Sequence, residues 1–272
     1  MQRVDAVADG APALDTIGTG FPSLDRMLGG GMRRGDLVTL GGEVGSGKSA
    51  FALAVGLRMA QDGARVGLWS GEMTVERLLE RALAIEGRVK IDELREGVLQ
   101  DTNRATIGVA ALRLRDNAPH LSLLPRGGVA ALRDELRRMS DVPSVVLVDS
   151  LPALAQDLRP LEEDLADAVR QLKALALELD VALLVTAQLP GLDPNRRDQR
   201  PTIDDFGLLG SIKQHADVVL ALYREEMYDP GLGVEGATEL LVRKNRNGAT
   251  GYVDLYFYRK WMRFEDMLDP DR

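Results

Sequence analysis

Gly42, Gly47, Lys48 and Ser49 stand at the spacing G-x-x-x-x-G-K-[ST], between the apolar run Leu37–Leu40 and a segment that reads as a helix. The chemistry served by that order is the holding of phosphate. Glycines let backbone N–H groups converge on phosphate oxygens, and the positive end of the following helix adds attraction. Lys48 then reaches the outer phosphates, and the Ser49 hydroxyl coordinates magnesium. The loop Gly42, Glu43, Val44, Gly45, Ser46, Gly47, Lys48, Ser49 and Ala50 is therefore the candidate cradle for ATP with Mg2+. The bland alternative is a glycine-rich turn carrying an exposed lysine.

Three more polar residues close strand-like runs. VVLVD ends in Asp149, a carboxylate that a parallel sheet would deliver beside the loop, where it would share magnesium with Ser49. Capping of the next turn is the competing reading. RVGLWS leads through Gly71 to Glu72, which could orient or deprotonate the water attacking a γ-phosphate, or could equally be a first-turn acid of the helix that follows. LLVTAQ ends in Gln188, whose amide can hydrogen-bond the γ-phosphate and report its loss to a neighbouring loop.

These positions presuppose a particular frame. Strand-length apolar runs at Leu37–Leu40, Arg65–Ser70, Leu121–Leu124, Val145–Asp149, Ala182–Ala187 and Val218–Tyr223 alternate with helical stretches at Glu72–Glu86, Val129–Arg138 and Glu162–Leu179. That alternation predicts an α/β fold with a mainly parallel sheet. After Tyr223 the runs Ala237–Arg243, Tyr252–Tyr258 and Trp261–Phe264, with a turn at Asn247-Gly248, predict antiparallel strands closing one side. The segments 193–202 and 228–236, rich in Pro, Gly and charge, read as long loops.

Composition narrows the classes. The 272 residues suffice for one large domain, and a net charge of −8 argues against a protein that coats nucleic acid while permitting a local basic channel. With no cysteine and two histidines, disulfides, thiol nucleophiles and histidine metal clusters are excluded, so only an oxygen-held metal is expected. A signal-peptide core and an 18-residue apolar run are both lacking, so the expected location is cytoplasmic, without a membrane partner.

Several separate segments resemble one family. TGFPSLDRMLGGG, SGEMTVERLLERALA, VVLVDSL, VRQLKALALELDVALLVTAQL, GSIKQHADVVLALYREEMY and KNRNGATGYVDLYF are together similar to the C-terminal motor domain of DnaB-type replicative DNA helicases, a RecA-like P-loop ATPase fold. Residues 1–16 then read as a short extension or linker before a domain at 17–272. The resemblance implies that Glu72 is the catalytic glutamate, Asp149 the magnesium-side acid and Gln188 the link between nucleotide state and DNA-binding loops. It also implies that Lys244 and Arg246 reach into a neighbouring subunit's site, Arg246 as an arginine finger, and that a homo-oligomer, a hexameric ring, is the working form acting on single-stranded DNA in replication. Read by themselves, Lys244 and Arg246 suit a charged hairpin.

Departures from the family pattern bear on what is bound. Gly207 and Leu208 occupy positions where the family usually carries an arginine and a glutamate in a DNA-contacting loop, Ser150 and Pro152 replace a tyrosine and a glutamine, and Pro190-Gly191 replace an asparagine-arginine pair. The helical domain that precedes the motor in full-length helicases is expected to be missing, and with it primase recruitment. The start FPSLDRMLGGG resembles RadA and KaiC-type relatives as much as helicases. Candidate phosphate-backbone contacts are Arg196, Arg197, Arg200 and Lys213, each of which also suits a solvated loop. Two functions follow: an ATP-driven helicase or translocase, and a RecA-like ATPase switch that regulates recombination or a protein partner without unwinding. A nucleotide kinase is disfavoured by the late antiparallel strands.

Overall fold

The structure, a computed structural model, describes residues 15–157, 159–193, 195–231 and 233–267; the expected extension lies, up to residue 14, outside the described residues. The strands are β1 (Thr16–Ile17), β2 (Met32–Arg33), β3 (Leu37–Gly42), β4 (Val66–Ser70), β5 (His120–Leu123), β6 (Val145–Asp149), β7 (Ala182–Gln188), β8 (Val218–Tyr223), β9 (Ala237–Asn245), β10 (Gly251–Tyr258) and β11 (Arg263–Asp266). The helices are α1 (Pro22–Leu28), α2 (Lys48–Gln61), α3 (Val75–Gly87), α4 (Ile91–Glu96), α5 (Asp101–Asn117), α6 (Gly128–Arg138), α7 (Leu161–Leu179) and α8 (Ser211–His215).

Apart from the small β1–β2 pair, the strands form one sheet in the order β11-β10-β9-β8-β3-β7-β6-β4-β5. From β8 to β5 the pairing is parallel. The strands β9, β10 and β11 add antiparallel to one edge, as the late strand pattern predicts. The central strands are apolar on both faces because helices cover both: Val145 and Leu147 enter one core with α2, whereas Val146 and Val148 enter another with α6 and α7. Phe51 of α2 anchors the first core, packing edge-on against Phe264 with ring centroids 5.3 Å apart.

Several expected boundaries move for local reasons. The helix expected from Glu72 begins at Val75, because the Ser70 hydroxyl accepts the backbone N–H groups of Glu72 (3.3 Å) and Met73 (2.9 Å), and Thr74 caps the helix. Glu72 is thus outside the helix. The strand expected at Trp261–Phe264 starts at Arg263, since a short turn over Arg259–Trp261 and a left-handed Met262 reverse the chain first. α4 and α5 carry no apolar face visible to periodicity: Ala110 and Leu114 are the buried residues of α5, and α4 has none. No helix of the described residues is long and apolar enough to cross a membrane.

Candidate active site

The C-terminal ends of β3, β6 and β7 converge on a cleft of about 590 Å³, large enough for a nucleotide. Val44, Gly45, Gly47, Lys48, Ser49, Ala50, Glu72, Asp149 and Gln188 line it, so the sequence candidates from four separate segments meet in one place. Gly47 precedes α2 at φ 105, and a Cβ there would lie 2.9 Å from the Phe264 ring, so the turn requires glycine. Gly42 and Glu43 contribute through their carbonyls, each accepting from Lys48 Nζ at 2.9 Å. The ammonium is held below its ordinary range by burial, with Asp149 and Glu72 opposing. Ser46 Oγ is buried without a hydrogen-bond partner among the described residues.

Asp149 is 3% exposed. Its Oδ1 accepts from Ser49 Oγ at 3.0 Å and from Thr186 Oγ1 at 2.6 Å. Burial nevertheless pushes its carboxyl above the usual range. A divalent cation would reverse that balance, and the neighbouring hydroxyl and carboxylate are the hard oxygen donors magnesium prefers.

Glu72 reaches the cleft because Gly71 packs against the turn after β6: a Cβ on Gly71 would sit 2.2 Å from the Ala153 Cβ. Ser150 Oγ donates to Glu72 Oε1, holding a carboxylate that would otherwise swing in solvent. Gln188 ends β7 opposite Gly42, and Leu189 N donates to Gly42 O at 3.1 Å, joining the loop to the segment after β7. Sequence reasoning gave no site role to Ser150, Thr186, Arg81, Arg224 and Arg259, which also line the cleft. Arg81 stands on α3 with Nε buried and without a hydrogen-bond partner among the described residues, its guanidinium held below its ordinary range by burial against the opposing charge of Asp149. Arg224 is buried, with Nη1 donating to Gly45 O at 3.3 Å and Nη2 2.9 Å from Glu226.

Lys244 and Arg246 lie elsewhere. Lys244 pairs with Val219 and Asn245 with Val218, and Val218 pairs with Val38 near the start of β3. The phosphate loop follows the other end of β3, about 13 Å further along at strand rise. Within one chain the two cations therefore cannot touch the phosphates. The basic candidates of the following segments are also absent from the cleft lining. Arg196 pairs with Asp205 at 2.7 Å, Arg200 with Glu239 and Lys213 with Asp204 at 2.7 Å, while Arg197 is exposed.

A parallel sheet with late antiparallel strands, a phosphate loop at the end of β3 and an acid at the end of β6 define a RecA-like P-loop ATPase domain. The chain belongs to the DnaB-like helicase C terminal domain family, whose model matches residues 16–266. Replicative DNA helicase DnaC of Bacillus subtilis is 31% identical over 257 residues, 92% of this chain and 56% of that protein. Replicative DNA helicase DnaB of Pasteurella multocida is 32% identical over 273 residues, covering 96% and 57%. The chain thus spans about half the length of the curated relatives it matches. A solved ATPase domain superposes with a TM-score of 0.89 at 24% identity, covering 97% of this chain and 95% of that one. A DnaB-like replicative helicase, described with its interactions with primase, superposes at 0.86 and 23% identity, covering 97% and 66%.

Proposed function

We propose that this domain hydrolyses ATP at a site shared between two copies of the chain and uses the cycle to move along single-stranded DNA, as a DnaB-type helicase or translocase. The observation that carries the reading is the division of the site. Lys48, Ser49, Asp149 and Glu72 meet in one cleft, while Lys244 and Arg246 sit toward the opposite end of the sheet, so in this reading they would meet phosphate only in a neighbouring copy.

In this reading the loop amides and Lys48 bind the phosphates, Lys48 leaving the carbonyls of Gly42 and Glu43 to do so. Ser49 and Asp149 would hold magnesium, which when bound neutralises charge on the phosphate oxygens. Glu72, steadied by Ser150, orients water and takes its proton. Arg246 of one copy stabilises the charge developing on the phosphoryl group in the next. Gln188, joined to the loop through β3, conveys nucleotide state to residues 189–202. Exposed Arg197, without an ion pair among the described residues, would meet the DNA backbone, and Arg196, Arg200 and Lys213 would exchange their carboxylate partners for phosphates. A six-membered ring would bring such groups around one channel.

Those same ion pairs favour the second reading, a RecA-like ATPase switch acting on a protein partner, because they already neutralise most of the basic loop. Hydrolysis measured with and without single-stranded DNA, beside the mass in solution, separates the two. Strong stimulation at a ring-sized mass is expected; hydrolysis indifferent to DNA in an assembled ring would leave the switch.

A further inference from the structure

Asp217, just before β8, is a 3% exposed carboxylate outside the cleft. Its Oδ2 accepts from Leu37 N at 2.8 Å and from Lys173 Nζ at 2.6 Å, which already satisfies that oxygen and compensates the charge. Its Oδ1 lies 3.2 Å from Arg246 Nη1, a contact that neutralisation does not require. Arg246 is further held by its Nη2, which donates to Gln214 O at 2.9 Å, and by its backbone N, which donates to Asp217 O at 3.0 Å. Beside it, Lys244 Nζ donates to the carbonyls of Lys213 (2.8 Å) and Ala216, so the end of α8 seats both cations. Asn247 Nδ2 donates to Asp36 Oδ2 at 2.6 Å, pinning the turn itself.

The result is an arginine fixed on one edge and open on the other. A guanidinium has five N–H donors in a planar fork, the two side-chain contacts engage one nitrogen each, and the side chain remains 51% exposed. A long arginine left free would lose rotamer entropy on meeting a phosphoryl group, and fixing it beforehand removes that cost. Resting on the shared-site reading above, we propose that Asp217 is a positioning residue acting in trans: with the carbonyls closing α8, it aims Arg246 at the phosphate site of the adjacent copy. α8 also carries Lys213, paired with Asp204, so the same element joins a candidate DNA contact to the finger.

The test is Asp217→Asn in the full chain, assayed alone and mixed with Lys48→Ala under conditions of subunit exchange. Alone, Asp217→Asn should lose about tenfold or more in kcat with KM for ATP nearly unchanged, as expected for a contact felt in the transition state. Mixing should restore hydrolysis, because Asp217→Asn copies keep an intact phosphate site and Lys48→Ala copies keep a well-aimed Arg246. A role confined to folding or to the copy's own site would not be rescued. Full activity of Asp217→Asn alone, or inactivity that mixing leaves unchanged, overturns the proposal. If the amide variant fails to fold, Asp217→Glu, which keeps the charge but displaces it, carries the same two measurements. Arg246→Ala mixed with Lys48→Ala is the separate control: its failure to regain activity refutes the shared site rather than the role of Asp217.

Discussion

Ser150→Ala isolates what one hydroxyl does for Glu72. The Ser150 Oγ is the side-chain donor on that carboxylate, and Ser150 is itself 5% exposed, so its geometry is set by packing. A hydrogen bond to a charged group contributes about 1.5–3 kcal/mol. Glu72 is solvent-exposed, so water competes for the same oxygen and the lower end of that range applies. At 1.36 kcal/mol per tenfold, kcat should fall about tenfold if the bond orients the carboxylate during attack. The proposed nucleotide contacts of Lys48 and Ser49 do not involve Ser150, so KM should stay within about twofold. The assay is steady-state ATP hydrolysis by Ser150→Ala, Glu72→Gln and the double variant. Residues acting as a unit are non-additive, so Ser150→Ala should add almost nothing once Glu72 is neutralised. Unchanged kcat in a folded Ser150→Ala protein, or full additivity in the double variant, would refute the orienting role.

Lys48→Ala should abolish nucleotide-dependent activity, and near-normal hydrolysis by that variant would remove the active-site assignment. Arg246→Ala should still bind nucleotide, measured by fluorescence titration, while hydrolysis falls by about 10³ or more. Asp149 gives a pH prediction for the nucleotide-free and metal-free protein. Its carboxyl is raised above the ordinary 3.8 chiefly by burial, so the native state holds that proton to higher pH than the unfolded chain does. Its contribution to stability is thus fully present below 3.8 and is lost as pH rises through the raised folded value. Asp149→Asn, which cannot ionise, should melt higher than the parent protein at pH 7, with the gain shrinking toward pH 4; an equal gain at both values contradicts the assignment.

The phosphate loop was legible because its chemistry is local: Gly42, Gly47, Lys48 and Ser49 lie on consecutive backbone, and a strand and helix flank them. The parallel centre was legible for a similar reason, since strands covered on both faces must be apolar throughout, as Val145–Asp149 is up to its terminal acid. The late antiparallel edge followed from a change of pattern after Tyr223 and the turn at Asn247-Gly248. Asp149 stood out as an acid at the end of an apolar strand. Glu72 was evenly balanced by itself, because a carboxylate between a strand and a helix serves either a dipole or a reaction. Resemblance inclined it to chemistry; the contacts of Ser70 and the bond from Ser150 are what keep it out of the helix and turned to the cleft.

What the sequence determined by itself was therefore the chemistry of contiguous segments and the alternation of elements. Tertiary structure decided the relations between distant ones. Ser150, Thr186 and Arg81 have ordinary neighbours in the chain and acquire meaning only where β4, β6 and β7 end side by side. The pairing of Val218 with both Val38 and Asn245 puts Lys244 and Arg246 at the far end of the sheet from the phosphate loop, and places Asp217 beside Arg246 across 29 residues of chain. The physical reason is that strand register, set by burial over the whole sheet, fixes which side chains meet, and register is not written in any single segment.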